Sequence, residues 1–145
     1  MKKKTGLLER LKHNPIICAE GYLFEAERRG YMASGEFVPE LVLENPDALR
    51  SIHRDFQHAG SDVVVAFTYN GHREKMRVIK KEHLLEPLNR VALQIAKQIS
   101  QEVAFSEPNL IAGNISGTHI WNSNDENSKQ EVRLMFREMI KWAKE

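Results

Sequence analysis

A chain of 145 residues is long enough for one domain with a real core, and 21 basic residues against 20 acidic ones give no net charge to hold a nucleic acid or a membrane surface. The single cysteine excludes an internal disulfide and a cysteine-rich zinc site, and points to a reducing, cytoplasmic setting. The start, "MKKKTGLLERLKHN", carries an apolar run too short for a signal peptide or a spanning helix; residues 1–13 read as a basic, helical leader and 14–145 as the folded portion.

"PIICA", Pro15 to Ala19, is a short apolar run bounded by Pro and Gly, and reads as a buried first strand with Cys18 in the core. "YLFEAERRG" reads as a helix that Gly30 ends, followed by a turn with Gly35 and Pro39. "NPDALRSIHRDFQHAG" is a stronger helix, with Asn45 as N-cap, Pro46 in the first turn and Gly60 at the end. Its apolar face is Ala48, Leu49, Ile52, Phe56 and Ala59.

Asp62 to Phe67, "DVVVAF", is the second strand, and "TYNGHREK" reads as a polar loop. A long helix follows from about Pro87 to Val103, with Leu88, Val91, Ala92, Ile95, Ile99 and Val103 at helical period. "NLIAGNIS" is the third strand, and "IWNSNDEN" a loop. Ser128 and Glu131 offer a capping box for a last helix with Val132, Met135, Phe136, Met139, Ile140 and Ala143 on one side.

Strands apolar on both faces, alternating with helices, predict an α/β fold with parallel strands and covering helices. The carboxyl ends of the strands run into "AEG", "TYNGH" and "GNISGTH". In a parallel sheet those three loops share one edge, where sites form.

The segments "EGYLFEAERRGY", "NPDALRSIHRDFQHAGSDVVVAFTYNGHREK", "EPLNRVALQIAK" and "LIAGNISGT", in this order, resemble the amino-terminal part of the homocysteine S-methyltransferase family, especially its betaine-using branch. The resemblance runs from about Pro15 to the end. It implies about three βα units of a (β/α)8 TIM barrel, which needs about 250 residues when complete. It also implies methyl transfer from a betaine-like or sulfonium donor to the thiol of homocysteine, activated as a thiolate on zinc. The zinc ligands of the family are three cysteines in its second half, with no counterpart in this chain, so the resemblance implies no metal bound by this chain alone. Expected partners are homocysteine and a methyl donor; a homo-oligomer is open, while no nucleic acid and no membrane are expected.

By the same resemblance the first-half loops grip the amino-acid end of homocysteine. The family has an Asp-Gly-Gly turn where this chain reads Ala19-Glu20-Gly21, so the acid is displaced by one residue and is a methylene longer. Glu20 then either meets the substrate ammonium or is a solvated loop carboxylate. Gly21 matches the turn glycine. Thr68, Tyr69 and Asn70 follow the second strand where the family has polar substrate contacts; Asn70 stands where the betaine branch has Tyr, and Ala66 replaces a common Thr. Thr68 has the local alternative of bonding its own backbone. Gly113 and Ser116, around Asn114, resemble a third site turn, with a structural turn as the equal alternative. Among the histidines, His53 and His58 are five apart, which does not place them on one helix face as a ligand pair, and read as surface or packing residues. His72 and His119 fall on the site edge. The other reading of the whole chain is a non-catalytic half-barrel that binds a partner or itself through an open sheet edge.

Overall fold

The computed structural model describes residues 5–33, 40–102 and 108–145. Gly35, Pro39 and Val103 lie outside them.

Seven α-helices and two short strands are described: α1 Leu7–Arg10, α2 Tyr22–Arg28, α3 Leu41–Glu44, α4 Pro46–His58, β1 Val63–Val65, α5 Arg73–Val78, α6 Leu85–Gln101, β2 Leu110–Ala112 and α7 Glu126–Lys144. A 3₁₀ turn, Glu82–Leu84, leads into α6. β1 and β2 pair in parallel, Val64 opposite Ile111. As in any βα unit, the long connection through α5 and α6 is what lets the two strands run the same way.

The core lies where α4 and α6 pack on β1. Leu49 and Ile52 from α4 and Leu88, Ile95 and Ile99 from α6 are sealed from solvent, with all three valines of β1 between them. α4 begins as its sequence dictates. The Asn45 side-chain oxygen accepts from Ala48 N at 3.2 Å, and Pro46 follows in the first turn, where its missing N–H costs nothing. Replacing Asn45 by Ala is expected to cost about 1 kcal/mol, read as a lower denaturant midpoint.

Several expectations are corrected. The first strand is reduced to one bridge, Cys18 to Val63, and Cys18 is exposed rather than buried. Ile17 O accepts from Val63 N, and Ala19 N donates to Val63 O. The next rung of a parallel ladder would be the Val65 amide. The hydroxyl of Tyr22 takes it instead, at 3.3 Å, so the ladder stops there.

The "TYNGHREK" loop is only half a loop: α5 starts at Arg73, with the His72 ring accepting from Lys75 N. The long helix starts at Leu85, two residues before Pro87, which sits comfortably in its first turn. α7 is capped by Asp125, which accepts from Asn127 N. Ser128 lies inside the helix, accepting from Asn122 N and donating to Ile120 O, which ties the incoming loop to the first turn. The buried stripe of α7 is Val132, Met135, Met139 and Trp142, while Ile140 and Ala143 are exposed. That stripe, at spacings of three and four, faces α6. On α4, Ala59 is exposed because the helix has ended at His58.

Candidate active site

The three loops at the carboxyl ends of the strands do meet. Glu20, Gly21, Tyr22, Phe24, Phe67, Tyr69 and Asn114 line a common cavity of about 190 Å³, with Val65 and Ala66 at its floor. Gly21 adopts φ +80°, a left-handed conformation that a side chain would strain. This turn swings the chain from the end of the first strand directly into α2 and leaves the Glu20 side chain exposed at the cavity mouth.

The second and third loops are zipped together by side chains, in a register that continues the strand pairing. Thr68 Oγ1 donates to Asn114 O at 2.8 Å and accepts from Asn114 N at 3.1 Å. Two residues on, Ser116 Oγ accepts from Asn70 N and donates to Asn70 Oδ1, both at 3.1 Å. Two residues beyond Asn70 and one beyond Ser116, His72 Nε2 lies 3.3 Å from Gly117 O. Since His72 Nδ1 accepts from the Lys75 amide, the proton sits on Nε2, which donates to Gly117. Burial pushes the His72 pKa down, and the Gly117 contact opposes it. Neutral His72 therefore serves both loops.

This zipper separates the residues expected at the site. Thr68 and Asn70 are buried and their side chains engage the third loop, so they set the shape of the rim. Glu20, exposed at the cavity, is the group free to meet a ligand's charge. Gly113 is exposed beside Asn114, and Ser116 is tied to Asn70. Asn70 accepts φ +56°, as Asn does more readily than most residues. His119, also on this side of the fold, is exposed with φ +64°.

Tyr22, Phe24 and Asn89 were not singled out from sequence as site residues. Tyr22 joins the cavity to β1 through its hydroxyl, and burial raises its pKa above the ordinary tyrosine range. Phe24 and Tyr69 are large aromatic side chains left exposed on the cavity lining. Asn89, from α6, holds the second loop from below: its amide donates to Gly71 O at 2.7 Å and to Leu85 O at 2.8 Å. The signal for Asn89 was an Asn on the apolar side of a helix, next to Leu88.

The chain as a whole is similar to known proteins. The model of the family "Homocysteine S-methyltransferase" matches residues 18–145. The chain belongs to the homocysteine S-methyltransferase family. Betaine–homocysteine S-methyltransferase 1 of Sus scrofa is 33% identical over 144 residues, covering 96% of this chain and 50% of that protein. The S-methylmethionine–homocysteine S-methyltransferase of Pongo abelii is 33% identical over 138 residues, covering 94% of this chain and 35% of that protein. The fold resembles the crystal structure of the homocysteine methyltransferase MmuM from Escherichia coli in its metallated form. The TM-score is 0.74 at 16% identity, over 92% of this chain and 51% of that one. The chain thus spans half, or less, of the length of these homocysteine S-methyltransferases.

A zinc site of three thiolates cannot be built from the groups present here. Cys18 is the sole thiol, and among the described residues no group of three or more His, Cys, Asp or Glu lies close enough to hold a metal. No described helix is long and apolar enough to cross a membrane.

Proposed function

We propose that this chain forms the amino-acid-gripping side of a homocysteine S-methyltransferase site, on about three βα units of a (β/α)8 barrel. The observation that carries this is the convergence of a free carboxylate, Glu20, with exposed aromatic side chains on one cavity at the carboxyl edge of parallel strands. Glu20 meets the substrate ammonium in a charge-assisted hydrogen bond, and backbone N–H groups of the loops suit its carboxylate. Phe24 and Tyr69 offer π faces to a methylated cation, which aromatic rings attract. Gly21 and the Thr68–Asn114 and Asn70–Ser116 links keep the rim rigid, so that little ordering is left for binding. The zinc that would turn the substrate thiol into a nucleophile in the family is not held by the described residues, and no step assigned to them passes through it.

Calorimetric titration with L-homocysteine tests the reading. Glu20→Gln is expected to weaken binding about tenfold, the loss of one exposed charge-assisted contact. The same substitution is expected to leave 4-mercaptobutyrate, which lacks the ammonium, unaffected. Equal binding of homocysteine to both proteins would remove Glu20 from the site.

A second reading, a non-catalytic half-barrel that associates through its sheet edge, has its own support. Leu110 and Ala112 direct their backbone groups to β1, so those of Ile111 face outward along an edge that no described strand pairs with. Ile111 is 40% exposed, and Ile17 on the opposite side is 59% exposed. Absence of homocysteine binding together with a concentration-dependent mass in sedimentation would favour this reading.

A further inference from the structure

His53 is 1% exposed on the core face of α4, and among the described residues neither ring nitrogen has a hydrogen-bond partner. A buried polar side chain left this way is uncommon enough to require an explanation. Its neighbour supplies one. The Tyr22 ring stands edge-on to His53, with centroids 4.6 Å apart and planes at 79°. Tyr22 also meets Phe56 at 5.1 Å and Phe67 at 6.0 Å, both edge-on. Held in this box, its hydroxyl reaches the Val65 amide and ends the first-strand ladder. Tyr22 is the residue directly after Gly21.

We propose that His53 is a positioning residue for the Glu20–Tyr22 turn, clamping Tyr22 onto the Val65 amide while neutral and releasing it when protonated. The proposal rests on the reading of this turn as part of the site.

Among the described residues, no charged or polar group bonds the ring. From α2 the Tyr22 ring meets it, while Glu25 and Arg29 engage each other and Asp55. Between α4 and α6, Arg54 meets Glu102 and Arg50 meets Gln98 in exposed positions, and the buried polar contact is neutral, Gln57 Nε2 donating to Ile99 O. α3 carries only Glu44, which is exposed, with Glu40 before it paired to Lys81. β1 contributes only valines. Burial alone accordingly lowers the His53 pKa to about 4. The unfolded or opened chain takes up the proton near 6.5. The clamp is therefore intact above about pH 6.5 and weakens as pH falls toward 4, by up to about tenfold per pH unit.

The test is amide hydrogen exchange from pH 7.5 to 4.5 on the whole chain, corrected for the intrinsic pH dependence of exchange. Protection of Val65 is expected to fall at least tenfold on acidification while the α6 core amides of Ile95 and Ile99 keep theirs. His53→Phe, which preserves an aromatic ring and cannot titrate, is expected to abolish that fall. Should that variant not fold, Tyr22→Phe replaces it. It keeps the ring contact and removes the hydroxyl, and is expected to lower Val65 protection about tenfold at pH 7.5. The idea is overturned if Val65 and the α6 amides lose protection together, if Val65 shows no acid dependence, or if either variant exchanges like the parent. None of these readouts depends on homocysteine, so a failed clamp and a failed substrate assignment are distinguishable.

Discussion

Leu88→Ala is expected to destabilise the chain by about 3 kcal/mol. Leu88 is fully buried, and truncation removes its apolar contacts and leaves a cavity that α6, wedged against β1 and α4, cannot close. The denaturant midpoint should fall with an unchanged slope, since the surface exposed on unfolding is nearly the same. The substitution also reaches the site. A Cβ built on Gly71 would stand 3.1 Å from Leu88 Cδ2, 3.3 Å from Asn89 Nδ2 and 3.0 Å from Thr68 O. The second loop therefore rests directly on α6, and position 71 has no room for a side chain. Gly71→Ala and Leu88→Ala in one chain should cost less than the sum of the two, because the shortened Leu88 relieves one of these contacts. The Thr68 carbonyl is backbone and remains, so relief is partial. Strict additivity in the double-mutant cycle would mean that the loop does not bear on Leu88.

α4 and α6 were legible because their apolar residues recur at helical spacing and, for α4, because Asn45-Pro46 is a strong start signal. The parallel strand pair was legible from apolar runs separated by a helix. The end of the first strand was not. "PIICA" has the composition of a buried strand, yet a tyrosine four residues beyond Cys18 takes the next rung with its hydroxyl, a tertiary event that no local pattern carries. α5 was missed because "REKMRV" is mostly charged and offers Met76 as its one buried apolar residue. Its start is set by a His side chain, which is not among the usual N-caps.

In the candidate site, the loops were legible from their place at strand ends, while the division of labour inside them was not. Thr68 with Asn114 and Asn70 with Ser116 are joined across 46 residues of chain, and nothing in either segment announces the other. His53 had a readable signal that the five-residue spacing to His58 obscured. It lies four residues after Leu49 and next to Ile52, on the apolar stripe of α4, where a histidine should have been read as buried.

Asn89 marks where fold and site meet, and its substitutions separate packing from polarity. Asn89→Ala removes both side-chain donors and leaves the Gly71 carbonyl without its partner, while the Leu85 carbonyl keeps its helical bond from the residue 89 amide; the loss is about 1–3 kcal/mol. Asn89→Asp has almost the same shape, so a purely steric role would make it mild. It should instead be worse than Ala at pH 7, because an ionised carboxylate accepts and cannot donate, and both partners at this position are acceptors. Protonation restores one donor. The folded-state pKa of the new carboxyl is thus raised above its ordinary value near 3.9. A group raised in this way stabilises the fold below its unfolded pKa and loses that contribution as pH rises through the folded one. Asn89→Asp should therefore regain stability relative to Asn89→Ala between pH 7 and pH 4.5, measured by urea midpoints at each pH. The two curves are expected to cross. Parallel curves would mean that the Gly71 carbonyl finds another donor, and that the second loop is held on α6 by Leu88 alone.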